Sequence, residues 1–225
     1  MKRTFIGLVF LFFAGSLQAQ EAGNGYGFRL GLTAHPTVGW VKPQVGKSNG
    51  VSLGFSYGLL ADFNFAENYS FSTGLTITTI NGKSTEVMVS PSPSSEFPNP
   101  PQQSAYELKY KLQYIELPLT LKLRTVQIGD IRWYGQFGLS NDFNIGAKQD
   151  AEVSGNAGYK DVNVSDYIKF YRAGLIIGAG AEFDLNGKQS ITTGLTYNNG
   201  FTDISTDDQT SIRNHYVGIN FGVFF

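Results

Sequence analysis

The 225-residue chain has no cysteine. That excludes disulfides, thiolate metal sites and a lipid-modified cysteine anchor. Charge is scarce and nearly balanced, with a formal net charge of −1, so neither nucleic acid nor a strongly charged soluble partner is suggested. Histidine is limited to His35 and His215. A Ser-based lipid hydrolase would carry a His-x-Ser pair or a similar base beside its nucleophile, and the nearest approach here is His35-Pro36-Thr37. Two histidines are also too few to complete a metal site, and both are read as solvated rim residues, although a closed barrel would bring their strands side by side. Beyond the N-terminus no apolar run approaches the length of a membrane helix, and no helical period of 3.6 stands out. No glycine-rich loop opens a helix, so no phosphate cradle is present. The expectation is a protein without catalysis, metal or cofactor.

What is present starts with "MKRTFIGLVFLFFAGSLQAQ". Lys2 and Arg3 precede a short apolar core from Ile6 to Phe13, and Ala14, Gly15, Ser16 and Ala19 supply small residues near a cleavage point. This reads as a secretory signal peptide over 1–19, leaving 20–225 as one mature domain.

The mature part is rich in glycine and in Phe and Tyr, and it alternates. Eight segments have one apolar and one polar or small face, the mark of half-buried strands. The clearest is "GVSLGFSYGLLADFNF": Val51, Leu53, Phe55, Tyr57, Leu59, Ala61, Phe63 and Phe65 share one face, and Ser52, Gly54, Ser56, Gly58, Asp62 and Asn64 the other. The last segment, "VGINFGVFF", places Phe221, Val223 and the terminal Phe225 on one apolar row, an ending that the outer-membrane barrel assembly machinery reads. Short connections ("AEN", "TVQIGD", "NG") alternate with long ones, the longest being the Pro- and Ser-rich stretch 84–104, expected to be an irregular, mobile extracellular loop. That layout predicts an all-β fold: an eight-stranded antiparallel up-and-down transmembrane β-barrel, with both termini periplasmic. A soluble lipocalin-like barrel or sandwich would turn the apolar face inward, and periodicity alone does not separate the two.

The stretch "AYELKYKLQYIELPLTLKLR" (105–124) poses its own problem. Tyr106, Leu108, Tyr110, Leu112 and Tyr114 alternate with polar residues, and then the phase slips: Ile115, Leu117, Leu119, Leu121 and Leu123 are apolar. A strand of this length exceeds what a bilayer needs, so the first half is expected to stand above the membrane. A one-residue bulge beside Pro118 is the expected cause of the slip.

Inward parity then places five cations, Arg29, Lys122, Arg124, Arg132 and Arg172, inside with five carboxylates, Asp62, Glu116, Asp142, Glu182 and Asp184. A narrow eight-stranded lumen admits little more than side chains. Charges there are costly unless paired, so a salt-bridge network plugging the interior is expected, with Gly54, Gly74, Gly138, Gly178 and Gly180 leaving room for it. A small solute channel is the alternative.

"YIELPLTLK", with Tyr114, Glu116 and Pro118, resembles a motif of the small PorT-like "porin family" outer-membrane β-barrels of Bacteroidota. "GLIIGAGAEFDL", "GLTYNNGFTDI" and the C-terminal Phe resemble later strands of the same proteins. The resemblance implies an eight-stranded barrel in the outer membrane. Its expected partners are outer-membrane lipid and lipopolysaccharide, the barrel assembly machinery, and secretion or surface proteins, because one branch of the family is tied to gliding and protein secretion.

Overall fold

The computed structural model describes residues 27–44, 46–89, 103–153, 156–185, 189–207 and 211–225. The signal-peptide segment, the Asn186-Gly187 turn and residues 90–102 lie outside them. Nine antiparallel strands are formed among the described residues: β1 (Gly27–Pro43), β2 (Lys47–Ala66), β3 (Tyr69–Val89), β4 (Gln103–Arg124), β5 (Ile131–Val153), β6 (Asn156–Asn163), β7 (Tyr171–Asp184), β8 (Ser190–Gly200) and β9 (Ile212–Phe224). Eight of them close a ring in the order β4-β3-β2-β1-β9-β8-β7-β5, shut by the β4–β5 pairing. The ninth, β6, pairs only with the upper part of β5, above the stretch that pairs with β7. Closure leaves the ring itself no edge strand, which a lipid environment demands because nothing there can satisfy a free backbone group.

Burial is inverted over most of the ring. Leu53, Phe55, Leu75, Phe137, Leu139, Ile177 and Leu195 point outward and are exposed, while Thr37, Ser56, Asp62, Thr78, Asp142 and Arg172 are buried inside. Water on both sides would make this arrangement unstable; a hydrocarbon exterior makes it the favourable one. The other reading, an apolar interior in a soluble barrel, therefore fails along this band. No helix among the described residues is long and apolar enough to cross a membrane; the strands do the spanning.

Aromatic residues border the band. Phe65 stacks near Tyr69 at the short-turn end, with Trp133 exposed there too, and Trp40 stacks on Tyr197 at the long-loop end. Such belts hold a barrel at the two lipid–water boundaries.

At the long-loop end the barrel continues above the band, and burial returns to the ordinary sense. Val41, Ile80, Leu108, Leu112, Tyr114, Ala147, Ile204 and Tyr216 belong to one apolar core inside the extended strands. Here three sequence expectations are corrected. The phase slip is not a bulge in β4. The β3–β4 register runs unbroken in phase from Tyr69↔Leu123 to Val89↔Gln103, so even-numbered residues of β4 point inward throughout. Above the lipid the inside is apolar and below it the inside is polar, so hydrophobicity changes face while the strand does not. The bulge sits across the seam on β5, where Ile145 is the extra residue between Gln113↔Gly146 and Tyr114↔Asn144. Pro118 lies instead at an interruption of the β3–β4 ladder, which skips the positions between Thr73↔Leu119 and Thr76↔Glu116, where a residue without an N–H costs nothing.

The second correction concerns 84–104. Residues Ser84 to Val89 are strand and pair with Leu108 to Gln103, which narrows the connection to 90–102, outside the described residues. The third is β6, a ninth strand inside one of the long connections, where the alternation predicts none. Its eight residues lack an apolar alternation and are held by β5 alone.

Candidate functional site: the filled lumen

Inward parity brings side chains from every strand of the ring into the lumen, where they gather in two clusters separated by a small cavity. The lower cluster lies toward the short turns. Arg29 on β1 binds Glu182 of β7 at 2.5 Å and Asp62 of β2 at 3.2 Å, and Lys122 of β4 binds the same two carboxylates at 3.4 and 3.0 Å. Ser72 and Ser190 donate further hydrogen bonds to Asp62 and Glu182. The cationic groups of Arg29 and Lys122 also lie 4.8 and 4.9 Å from the Phe224 ring, and Lys122 lies 4.8 Å from that of Tyr134. Each cation is thereby shared between two anions and at least one aromatic face, the dense pairing a dry interior requires. Arg124 joins at the edge through Asn64 and Ser70 rather than through a carboxylate.

The upper cluster centres on Arg172 of β7, which is fully buried. It donates to Asp142 and to Oδ1 of Asn214, and at 2.9 Å to Oδ1 of Asn198 and the carbonyl of Asn214. Asn198 in turn donates to Ser140 at 2.9 Å, and Ser140 to Asp142 at 3.2 Å. Glu116 has no cation bound to it. The single Tyr216 hydroxyl faces both of its oxygens, at 2.8 and 2.9 Å, and donates its one hydrogen between them. Gly200 serves both close strand approach and the Arg172 guanidinium, since an added Cβ would meet the Asn214 carbonyl first and lie 2.7 Å from Nη2, and one at Gly174 would lie against Asn198 and Ser140, with Nη1 of Arg172 at 3.3 Å. These are not the glycines singled out from the sequence. At Gly54 and Gly138 the nearest atom to an added Cβ is a backbone carbonyl oxygen of the adjacent strand, so those glycines serve close strand approach.

Between the clusters is a cavity of about 90 Å³, bordered by Lys122 and Asp62 below and by Glu116, Tyr216 and His35 above. Above the upper cluster the apolar core closes the barrel, with Tyr114 at the junction: its hydroxyl accepts from Asn214 at 3.4 Å. The motif residues Tyr114, Glu116 and Pro118 therefore all face inward, in the order apolar core, hydrogen-bonded carboxylate, cavity wall.

Of the ten charged residues assigned to the lumen, eight lie in these clusters. Arg132 stands at the short-turn rim and binds Gln127 at 2.9 Å, and Asp184 is the last residue of β7. Arg132 is directly opposite Glu182 across β5 and β7, yet its guanidinium binds Gln127 rather than that carboxylate. The two histidines are buried rather than solvated, and they are not together. His35 faces the lumen beside Thr33, while His215 packs against Trp40, and the register sets them five residues apart along β9. Among the described residues no group of three or more His, Asp and Glu could hold a metal ion. Phe221, Val223 and Phe225 lie on the outer, lipid-facing row, with Phe225 N–H bonded to the carbonyl of Leu30. Asn198, Asn214 and Tyr216 were missed because only charges were counted; their even numbers already placed them on the inward faces of β8 and β9.

The geometry resembles that of known outer-membrane barrels. OprG of Pseudomonas aeruginosa is 12% identical, with 90% of this chain and 98% of that one covered and a TM-score of 0.47. Neisserial surface protein A is 13% identical, with 87% and 95% covered and a TM-score of 0.45. No protein among the curated sequences matches this chain. Residues 18–206 match the outer membrane protein beta-barrel domain, and the chain belongs to that family.

Proposed function

We propose that this protein is a closed outer-membrane scaffold that passes no solute and acts by presenting its long-loop end to partners. The observation that carries the reading is the double closure of the lumen: a polar network around Arg29, Lys122 and Arg172, and an apolar core above it. A channel needs a continuous hydrated path, and the space of about 90 Å³ between the clusters is room for a few waters. The role is non-catalytic: the buried histidines stand apart and each is packed or hydrogen bonded within the barrel wall.

Orientation follows from the same reading. The short turns and both ends of the ring, Gly27 and Phe225, belong on the periplasmic side, and the extended strands on the cell surface. The C-terminal row of Phe221, Val223 and Phe225 then serves as the assembly signal. The Tyr114–Lys122 motif supports a place in the PorT-like branch, with secretion or surface proteins as the partner class. Planar-bilayer recording on refolded protein tests the closure. Silence from a demonstrably folded barrel is expected; stable, reproducible conductance would replace the scaffold with a channel.

A further inference from the structure

Cations are distributed unevenly on the outer surface. Among the described residues every lysine outside the lumen lies at the long-loop end, whereas the short-turn end has Arg132 at its inner rim. Several of these cations are also placed where a folded protein would avoid them. Lys83 stands directly opposite Lys109 across β3 and β4, and Lys42 directly opposite Arg213 across β1 and β9. Like charges at paired positions repel, and the strands gain nothing in return. A third such pair, Lys111 and Lys148, is relieved from within: Lys111 binds Asp150 and Asp161, each at 2.8 Å. Asp150 also faces Lys109, but both of its oxygens are engaged by Lys111 and one also accepts from the Asp161 N–H. Lys109 therefore shares Asp150 with Lys111, while among the described residues Lys83, Lys42 and Arg213 bind no carboxylate.

Their position is specific. Lys42 and Arg213 lie two residues beyond Trp40 and His215, where Trp40 stacks on Tyr197 at the upper aromatic border. Lys83 and Lys109 share outward parity with the lipid-facing Ile77 and Ile115 and open onto a groove of about 400 Å³ that Lys160 also lines. Of the three carboxylates that line the groove, Asp150 is held by Lys111, and Glu107 and Glu152 stand opposite each other one outward step farther from the lipid. An approaching headgroup therefore meets cations first. Lysine stems lie along apolar surface and carry the ammonium to the boundary.

We infer that the Lys42–Arg213 and Lys83–Lys109 pairs are two binding sites for the phosphate groups of a phosphorylated glycolipid in the outer leaflet, a lipopolysaccharide. Each phosphate sits between two opposed cations and turns a repulsion into a pair of charge-assisted contacts. This rests on the cell-surface orientation of the long-loop end proposed above.

The test uses the full mature chain refolded in neutral detergent, with heat-modifiable gel mobility as the check on folding. Native mass spectrometry measures bound lipid A, chemically dephosphorylated lipid A and inorganic phosphate. Lipid A is expected to bind in a salt-sensitive way. The double variants Lys42→Glu/Arg213→Glu and Lys83→Glu/Lys109→Glu should each weaken it about tenfold or more, while Arg132→Glu at the other end leaves it unchanged. Should a reversal prevent folding, the corresponding Gln pairs replace it. Equal binding by the reversed variants, or equal binding of the dephosphorylated lipid, would overturn the inference. Tight binding of inorganic phosphate in place of lipid A would overturn the headgroup assignment. A barrel that conducts ions yet retains phosphate-dependent lipid binding would sink the scaffold reading alone.

Discussion

Leu112 and Leu119 lie on the same strand, seven residues apart, and they are buried by opposite means. Leu112 is fully enclosed in the core of the extension, while Leu119 points out of the barrel with 37% of its surface exposed. Between them β4 neither turns nor slips. The lower half of the molecule hides polar side chains from lipid, and the upper half hides apolar side chains from water. One antiparallel ladder serves both because the hydrophobic effect fixes only which side lacks water, not which side is the interior. The change takes place at Tyr114 and Glu116, where the last core ring is followed by the first buried carboxylate.

The sharpest way to break that comparison is to remove the polar logic of the lower half at its strongest point. Arg172→Met keeps the bulk of the side chain but strands Asp142, Asn198 and Asn214 in a buried site. Loss of one partner from a buried ion pair costs about 3–5 kcal/mol, and urea unfolding from lipid vesicles should show a loss of that size. If Arg172→Met/Asp142→Leu recovers most of it, the pair is a specificity device and not a net stabiliser; if Arg172→Met alone is neutral, the upper cluster is hydrated and the closed-lumen picture fails.

A second test runs along the outward row of β4. Leu119 faces Leu139 across the β4–β5 pairing within the apolar band, and Gln113 lies on the same row above it. Leu119→Arg should cost about 2–4 kcal/mol if it lies near the bilayer midplane. Gln113→Arg should stay within about 0.5 kcal/mol, as a substitution outside the hydrocarbon does. Equal costs at the two positions would mean that the lipid boundary does not fall between them.

Those two rows also show what the sequence made legible. Period-two alternation identified all eight ring strands, because half-burial leaves the same trace whichever face is buried. It does not say which face is inside, and in β4 the two apolar runs fall on opposite faces of one strand. The phase change at Tyr114-Ile115 therefore reads as a bulge in β4, whereas the extra residue is Ile145 on its partner. Parity likewise named the charged residues that face inward, since alternation is local. Which of them meet depends on the stagger between strands, a property of closure that no single strand encodes. Register alone does not decide it either: Arg132 is opposite Glu182 and still binds Gln127. The strand β6 left no trace at all, since it packs against no second layer and its residues follow no apolar pattern.

The smallest effect is expected at the rim of the upper half, where ordinary aqueous electrostatics should hold. Asp203, in the turn after β8, accepts from Lys169 at 2.7 Å and from the backbone N–H groups of Ile212 and Ser205 at 2.8 and 3.0 Å, fastening the start of β9. Burial pushes its carboxyl up, but Lys169 and the two N–H groups outweigh burial and hold it below the usual carboxylate range. A carboxylate whose pKa is depressed on folding adds stability above its unfolded pKa, near 3.9 for Asp, and loses it as the pH falls through the lower, folded value. The contribution at neutral pH is about 0–1 kcal/mol, because Lys169 is 42% exposed and its attraction is screened by solvent. Asp203→Asn should therefore lower stability slightly at pH 7 and flatten the acid limb of the stability curve below about pH 4. Native-state hydrogen exchange at the Ile212 amide reads this directly: the variant should lose its acid-dependent change in protection. If the wild-type and Asn proteins show the same acid dependence there, Asp203 does not fasten the start of β9.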